Sequence, residues 1–433
     1  MDDSDPPKPR HRTIPSSRAA RLGTFGRLAG GVAGGMLGEG ARRLARGERP
    51  RMRDLLLTPG NVGRLADRLS HLRGAAMKLG QMISMDAGDM LPAELTAILA
   101  QLRSQAYRMP PQQLRSVLDA EWGPDWRRRF ARFNATPIAA ASIGQVHRAA
   151  LPDGREVAIK VQYPGIRESI DSDVDNVATL LRVSGVLPRE LDLAPLLGEA
   201  KRQLTRFADW LDGHPDYIVP RPLHELTTAR VLAMDFIDGQ PIEALGEAPQ
   251  ETRDAAMRDL IALVLRELFE FGAMQTDPNF ANYRFQPDTG RLVLLDFGAT
   301  RDVDPATAEG YRTLLAAGLA GDRDAVREAA QAAGFLGEAA IARHRPLVDR
   351  MIDIVVTEMN RPGPFDFGDR GFVEVLREQG MEMAADRSTW HIPPVETLFV
   401  QRKISGTALL AARLAARVDV RELVRHYLAG GSA

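Results

Sequence analysis

The chain has 433 residues, 44% hydrophobic and 26% charged, the proportions of an ordinary globular protein with room for about two or three compact units. Its 56 basic and 57 acidic residues give a formal net charge of -1, without the basic excess of a nucleic-acid binder, so no nucleic-acid partner is expected. It contains no cysteine, which excludes disulfides, thiolate chemistry and cysteine-ligated zinc.

Residues 1–20, rich in proline, serine and charge, read as a disordered tail and lack the apolar core of a secretory signal. Gly26, Gly30, Gly34 and Gly38 then recur at a spacing that would form one smooth stripe on a helix; a flexible linker is the other reading. The apolar piece Leu28 to Gly38 is bracketed by Arg27 and Glu39 and is too short to span a bilayer. A cytoplasmic location is therefore the default. The nearby Arg42, Arg43, Arg46 and Arg49 leave open a peripheral contact with an anionic membrane, against the reading of a basic, solvated linker.

From Thr58 to Gln105 the pattern is helical, with Leu65, Leu69, Leu72, Ala76, Leu79 and Ile83 on one apolar face. Pro92 opens a further helix over 93–104, Pro110–Pro111 break it, and a third helix over 112–120 ends before Gly123–Pro124. Residues 21–130 thus read as an N-terminal helical extension. The character changes near Phe133: Ile138 to Ala150 and Glu156 to Gln162 flank the turn signal Pro152–Asp153–Gly154 and predict a β-hairpin. Tyr217 to Pro220 and Arg230 to Phe236 are expected as further strands of the same sheet, in a small β-rich lobe over 131–238. The rest, 239–433, is expected to be mostly helical, with an apolar helix over Ala255 to Phe271 and short strands around Asn282 to Phe285 and Leu292 to Leu295. The fold class is α+β, in two lobes behind a helical extension.

Three short motifs carry the chemistry. Val157–Ala158–Ile159–Lys160 matches the kinase strand whose lysine holds the α- and β-phosphates of a nucleotide, although one lysine ending a strand is ordinarily just solvated. Asp277 and Asn282 have the offset of the kinase catalytic-loop aspartate and its magnesium-binding asparagine; alone they would be turn residues. Asp296–Phe297–Gly298 follows an apolar strand, where a carboxylate grips magnesium bridging the phosphates, and alone is a tripeptide common by chance. Their order and spacing together predict binding of ATP with Mg2+, and Asp235, within the strand 230–236, joins the expected nucleotide-binding residues.

Where an ordinary kinase has a glycine-rich loop, this chain has Ala139–Ala140–Ala141–Ser142, whose Cβ atoms stiffen the backbone. That loop, the stretch Val157 to Gly165 and the Lys-x-Gly-Gln motif Lys78–Leu79–Gly80–Gln81 resemble the UbiB/ADCK (AarF-domain) family of atypical kinases over residues 22–410. The resemblance implies a protein kinase-like fold whose N-terminal extension covers the cleft, and an ATPase or small-molecule kinase rather than a protein kinase. It implies a role in ubiquinone or other isoprenoid-lipid metabolism at membranes, with an isoprenoid lipid or lipid-biosynthesis proteins as partners. It places Lys78, Gln81 and the alanine-serine loop near the nucleotide and Lys160 on its phosphates. Asn282 and Asp296 would then hold magnesium, and Asp277 would position the acceptor.

Two departures stand beside it. The family's Glu-x-Asp motif and the glutamate that pairs with the lysine have no counterpart in Leu204 to Asp212, as though about a dozen residues were missing. Asp209 at most matches the motif's aspartate; Glu190 and Glu199 are alternative partners for Lys160, or ordinary helix-surface residues. Gln275–Thr276 precede Asp277 where many kinases carry His-Arg, and Asn279–Phe280–Ala281 replace the family's His-Pro-Gly. No Ala-Pro-Glu follows Asp296. The rival expectations are a pseudokinase scaffold that binds nucleotide or lipid without turnover, and a helical lipid-binding accessory protein with vestigial kinase residues.

Overall fold

The computed structural model describes residues 109–141, 144–164, 196–369, 371–386, 391 and 393–430. The expected tail, the glycine stripe, the basic run 42–49, the helices over 58–104, Lys78, Gln81, Ser142, Glu190 and the side chain of Glu199 lie outside the described residues. Backbone contacts divide the chain into two compact units. The first holds the described residues up to Glu199 together with Pro222–Phe236, the second Ala200–Arg221 and Ile237 onward.

In chain order the first elements are helix α1 (Pro111–Trp122), strands β1 (Arg132–Phe133), β2 (Ala139–Ala141), β3 (Gly144–Ala150) and β4 (Glu156–Gln162). Next come α2 (Leu196–Trp210), β5 (Tyr217–Ile218) and β6 (Val231–Asp235). α1 is longer than the expected 112–120. Pro111, read as a breaker, is a favourable first helical residue because no N–H is needed there, and Trp122 is held at the other end by its indole N–H donating to Leu226 O at 2.9 Å.

The first unit is a five-stranded antiparallel sheet, β1-β3-β4-β6 with β2 also on β3. The β3–β4 hairpin turns where expected. Gly154, at φ 87°, takes the left-handed conformation that favours glycine, and Asp153 Oδ1 accepts the Arg155 N–H at 3.0 Å. At the far end of the ladder Gly144 is required for room, since a Cβ there would collide with the Val161 carbonyl. Val157, Ile159 and Val161 alternate onto one face of β4 and pack with Leu114, Val117, Leu118 and Trp122 of α1, each buried side chain contributing about 2 kcal/mol. Lys160 falls on the opposite face by the same alternation.

The second unit continues with β7 (Gln240–Pro241), α3 (Gln250–Arg266), β8 (Ala273–Gln275), β9 (Tyr283–Phe285), β10 (Leu292–Leu294) and β11 (Thr300–Asp302). It ends with α4 (Pro305–Ala320), α5 (Arg323–Ala332), α6 (Glu338–Met359), β12 (Phe365–Asp366), α7 (Gly371–Ala385), α8 (Val395–Arg413), β13 (Arg417–Val418) and α9 (Val420–Leu428). α3 is the expected apolar helix; its last turn, Glu267–Phe271, widens to π-helical geometry, the kind of irregularity that collects at functional sites. α6 bends at His344, just before the internal Pro346, whose ring removes a helical hydrogen bond.

One strand is corrected. Tyr217–Ile218 does not join the lysine strand's sheet: it pairs in parallel with Leu292–Val293, in the sheet β5-β10-β9-β7. The reason is burial of the Tyr217 ring, whose hydroxyl donates to Asp259 O on α3 at 2.7 Å. Among the described residues no helix is long and apolar enough to cross a membrane.

Candidate nucleotide site

The expected site residues fall into two groups, each built inside one unit. In the first, Lys160 sits in register between Val146 of β3 and Leu232 of β6 and is buried. The alanine stretch is a strand rather than an irregular loop, with Ala139, Ala140 and Ala141 opposite Val146, Gln145 and Gly144. Asp235 lies opposite Val157, three residues along β4 from Lys160 and on the other face, so the two are not brought together.

A buried polar chain supports this hairpin. Met109 N–H donates to Gln145 Oε1 at 2.8 Å, Gln145 Nε2 donates to His147 Nε2 at 2.9 Å, and His147 Nδ1 donates to Asn134 O at 2.9 Å. Because an amide nitrogen only donates, Nε2 must accept, which assigns the neutral imidazole with its proton on Nδ1. Burial pushes the imidazole pKa down to about 4, against the pull of the Asn134 carbonyl.

In the second unit β8 leads into Asp277 and β10 into Asp296. β8 pairs with β11 through Gln275↔Thr300, Met274↔Arg301 and Ala273↔Asp302, which lays the two segments side by side. Thr276 Oγ1 donates to Ala299 O at 2.7 Å, and Leu295 N–H to Asn282 O at 2.9 Å. Asp277, Asn282 and Asp296 are thereby brought into one constellation. Asn282 Nδ2 donates to the Asp277 carbonyl at 3.0 Å, which turns its amide oxygen the other way, and Asp296 Oδ1 accepts the Gly298 N–H at 2.9 Å. Arg402 Nη2 on α8 stands 3.7 Å from Asp277 Oδ1. The Asp296 carboxylate and the Asn282 amide oxygen are hard donors of the kind that magnesium takes, so the residues present fit such an ion.

The neighbouring aromatic packing fixes the Asp-Phe-Gly segment to α2. The Phe297 ring is buried with its centroid 4.4 Å from that of Phe207, which also meets Trp210 and Phe271. On the same helix the Asp209 carboxylate is engaged by Arg221 Nη1 at 3.1 Å, both side chains being exposed.

Residues 101–330 match the family model of the ABC1 atypical kinase-like domain. The chain belongs to the ABC1 atypical kinase-like family. Among its relatives, the mitochondrial atypical kinase COQ8 of Saccharomyces cerevisiae is 35% identical over 96% of this chain and 86% of its own length. The mitochondrial atypical kinase COQ8B of Rattus norvegicus is 36% identical over 96% of this chain and 81% of its own. These are the UbiB/ADCK kinases that the motifs resemble. Among solved structures, Rv3197 of Mycobacterium tuberculosis in complex with erythromycin has 26% identity and a TM-score of 0.57, covering 84% of this chain and 94% of that one. The fold is protein kinase-like, a small β-rich unit and a larger helical one.

Inside the helical unit lies a cluster that sequence reasoning passed over. Gln275, noted only as a departure from His-Arg, sends Nε2 to Asp277 O at 2.9 Å and to Asp296 O at 3.1 Å. Lys403 of α8 is fully buried, 3.2 Å from Glu267 Oε2 and 3.0 Å from the Tyr283 hydroxyl. Burial pushes the Glu267 carboxyl up against the pull of Lys403; burial alone would lower Lys403, but Glu267 and Tyr283 hold it above its ordinary value. The available signal was a glutamate inside the apolar helix 255–271, with nothing local to say what it meets.

Proposed function

We propose that this chain is an atypical kinase or ATPase that binds ATP with magnesium and supports ubiquinone or other isoprenoid-lipid metabolism rather than phosphorylating proteins. The observation that carries the reading is the constellation of Asp277, Asn282 and Asp296, cross-tied through Gln275 and the Asn282 amide. Asn282 and Asp296 would hold the magnesium ion, which would neutralise phosphate charge when bound. Asp277 orients the acceptor, with Arg402 beside its carboxylate. Lys160 contacts the phosphates, and Ala139, Ala140, Ala141, Ser142, Lys78 and Gln81 complete the nucleotide-binding set. The work is positioning and charge neutralisation, which is most of what phosphoryl transfer asks of a protein.

The names of the COQ8 relatives and the Lys-x-Gly-Gln motif support the lipid-metabolic role, and the absence of Ala-Pro-Glu after Asp296 supports an acceptor other than a docked peptide. An isoprenoid lipid or lipid-biosynthesis proteins are the partners this implies. The basic run Arg42 to Arg49 supports a peripheral membrane contact.

A second reading, a scaffold that binds nucleotide without turnover, is favoured by one observation: Asp209, the nearest match to the missing motif, is engaged by Arg221. ATP hydrolysis by the purified chain with magnesium and anionic liposomes separates the two. Turnover that disappears in Asp296→Asn supports the enzyme; rates equal to that variant's leave the scaffold. In calorimetry, Asp296→Asn is expected to abolish magnesium-dependent nucleotide binding, and unchanged affinity would remove magnesium from the site.

A further inference from the structure

The buried charges beneath the Asp277 loop have a stoichiometry of their own. An ammonium carries three N–H donors and no acceptor. Lys403 Nζ donates to Tyr283 Oη at 3.0 Å and to Gln275 Oε1 at 3.3 Å, and pairs by charge with Glu267 Oε2 at 3.2 Å. Since Lys403 presents only donors, the oxygen end of the Gln275 amide must face it. The NH2 end is then aimed the other way, where its two protons meet two backbone carbonyls, those of Asp277 and Asp296. Glu267 additionally accepts the Gln275 backbone N–H. Gln275 is therefore clamped at main chain and side chain, from the π-helical turn after α3 and from α8.

We propose that Lys403, paired with Glu267, acts through Gln275 as a positioning residue that holds the Asp277 loop and the Asp296 segment at their mutual spacing. An ion pair that served packing alone would be replaceable by uncharged side chains of similar volume with no effect on the loops. Here the ammonium holds the oxygen end of one amide, and the NH2 end of that amide links the two carbonyls. The functional consequence rests on the magnesium-nucleotide reading above; the positioning itself does not.

The test compares wild type with two variants. Glu267→Gln with Lys403→Met leaves no buried unpaired charge and nearly conserves volume, and Gln275→Met removes the link alone. Amide hydrogen exchange is followed in 276–283 and 295–300, with α9 as internal reference, and ATP affinity is measured calorimetrically with magnesium and with EDTA. Both variants are expected to exchange about tenfold faster in the two loops, the effect of about one lost hydrogen bond, with α9 unchanged. The magnesium-dependent part of the affinity is expected to fall by a similar factor while the affinity in EDTA stays the same. Wild-type exchange in both loops of the folded double variant overturns the proposal, and if that variant does not fold, Gln275→Met decides by the same criterion. A wild type without magnesium-dependent affinity would instead remove the functional reading, leaving the exchange comparison to judge the positioning.

Discussion

Gln145 in the first unit and Gln275 in the second are both buried, both lie beside an expected site segment, and both use each end of the amide. Their partners differ in charge. Gln145 takes a backbone N–H on its oxygen and gives its NH2 to a neutral histidine. Gln275 takes an ammonium on its oxygen and gives its NH2 to two carbonyls. The neutral network is vulnerable to protonation, because an imidazolium would set N–H against N–H. The charged one is vulnerable to loss of one ion, because its counter-ion would be stranded in the interior.

The largest effect is accordingly expected in the second unit. Lys403→Ala leaves Glu267 buried without its cation and is expected to cost about 3–5 kcal/mol in chemical unfolding. Gln145→Ala, the corresponding break in the first unit, is expected to cost about 1–3 kcal/mol, since only uncharged groups lose partners. Equal losses would show that charge is not what separates the two networks.

Acid titration sharpens the same contrast. His147 has its pKa lowered from 6.5 to about 4 by burial. Between those values the unfolded chain binds a proton that the folded one does not, so stability falls as pH drops through that window and stays level above it. The total is about 3 kcal/mol, from about 1.4 kcal/mol per unit of pKa. Unfolding followed by Trp122 and Trp126 fluorescence, with Trp210 and Trp390 replaced by phenylalanine, should show this slope, and His147→Gln should lose it.

How much of this was legible follows from the range over which each signal acts. Val157 to Lys160, Asp277 to Asn282 and Asp296 to Gly298 are short patterns on or beside elements of their own, and the structure gathers the last two into one constellation. The β3–β4 hairpin was equally local, announced by Pro152–Asp153–Gly154. Tyr217–Ile218 was misassigned because a two-residue strand carries almost no periodicity and its partner, β10, comes much later in the chain. Glu267 and Lys403 failed for the same reason in a stronger form. Each is a single charge on a helix, which pattern reading assigns to the solvent face, and only the packing of α8 against the turn after α3 turns two such charges into a buried pair.

The smallest effect isolates burial from charge. Glu121 Oε1 lies 2.6 Å from Arg230 Nε, a closer approach than that of Glu267 to Lys403, but the Arg230 side chain is 39% exposed. Water therefore screens the pair and solvates the Arg230 guanidinium if Glu121 is neutralised. Burial alone would raise the Glu121 carboxyl; Arg230, donating to it from Nε at 2.6 Å and from its backbone N–H at 3.3 Å, helps hold the pKa below 4.5. A depressed carboxylate stabilises the fold above its unfolded value, and that contribution is lost as pH falls below 4.5, under most of the window in which His147 acts. Glu121→Gln is expected to cost no more than about 1 kcal/mol at neutral pH and to remove only the low-pH part of the acid slope. If it cost as much as Lys403→Ala, then the short distance rather than the burial would govern these pairs, and the contrast between the two networks would have to be drawn from geometry alone.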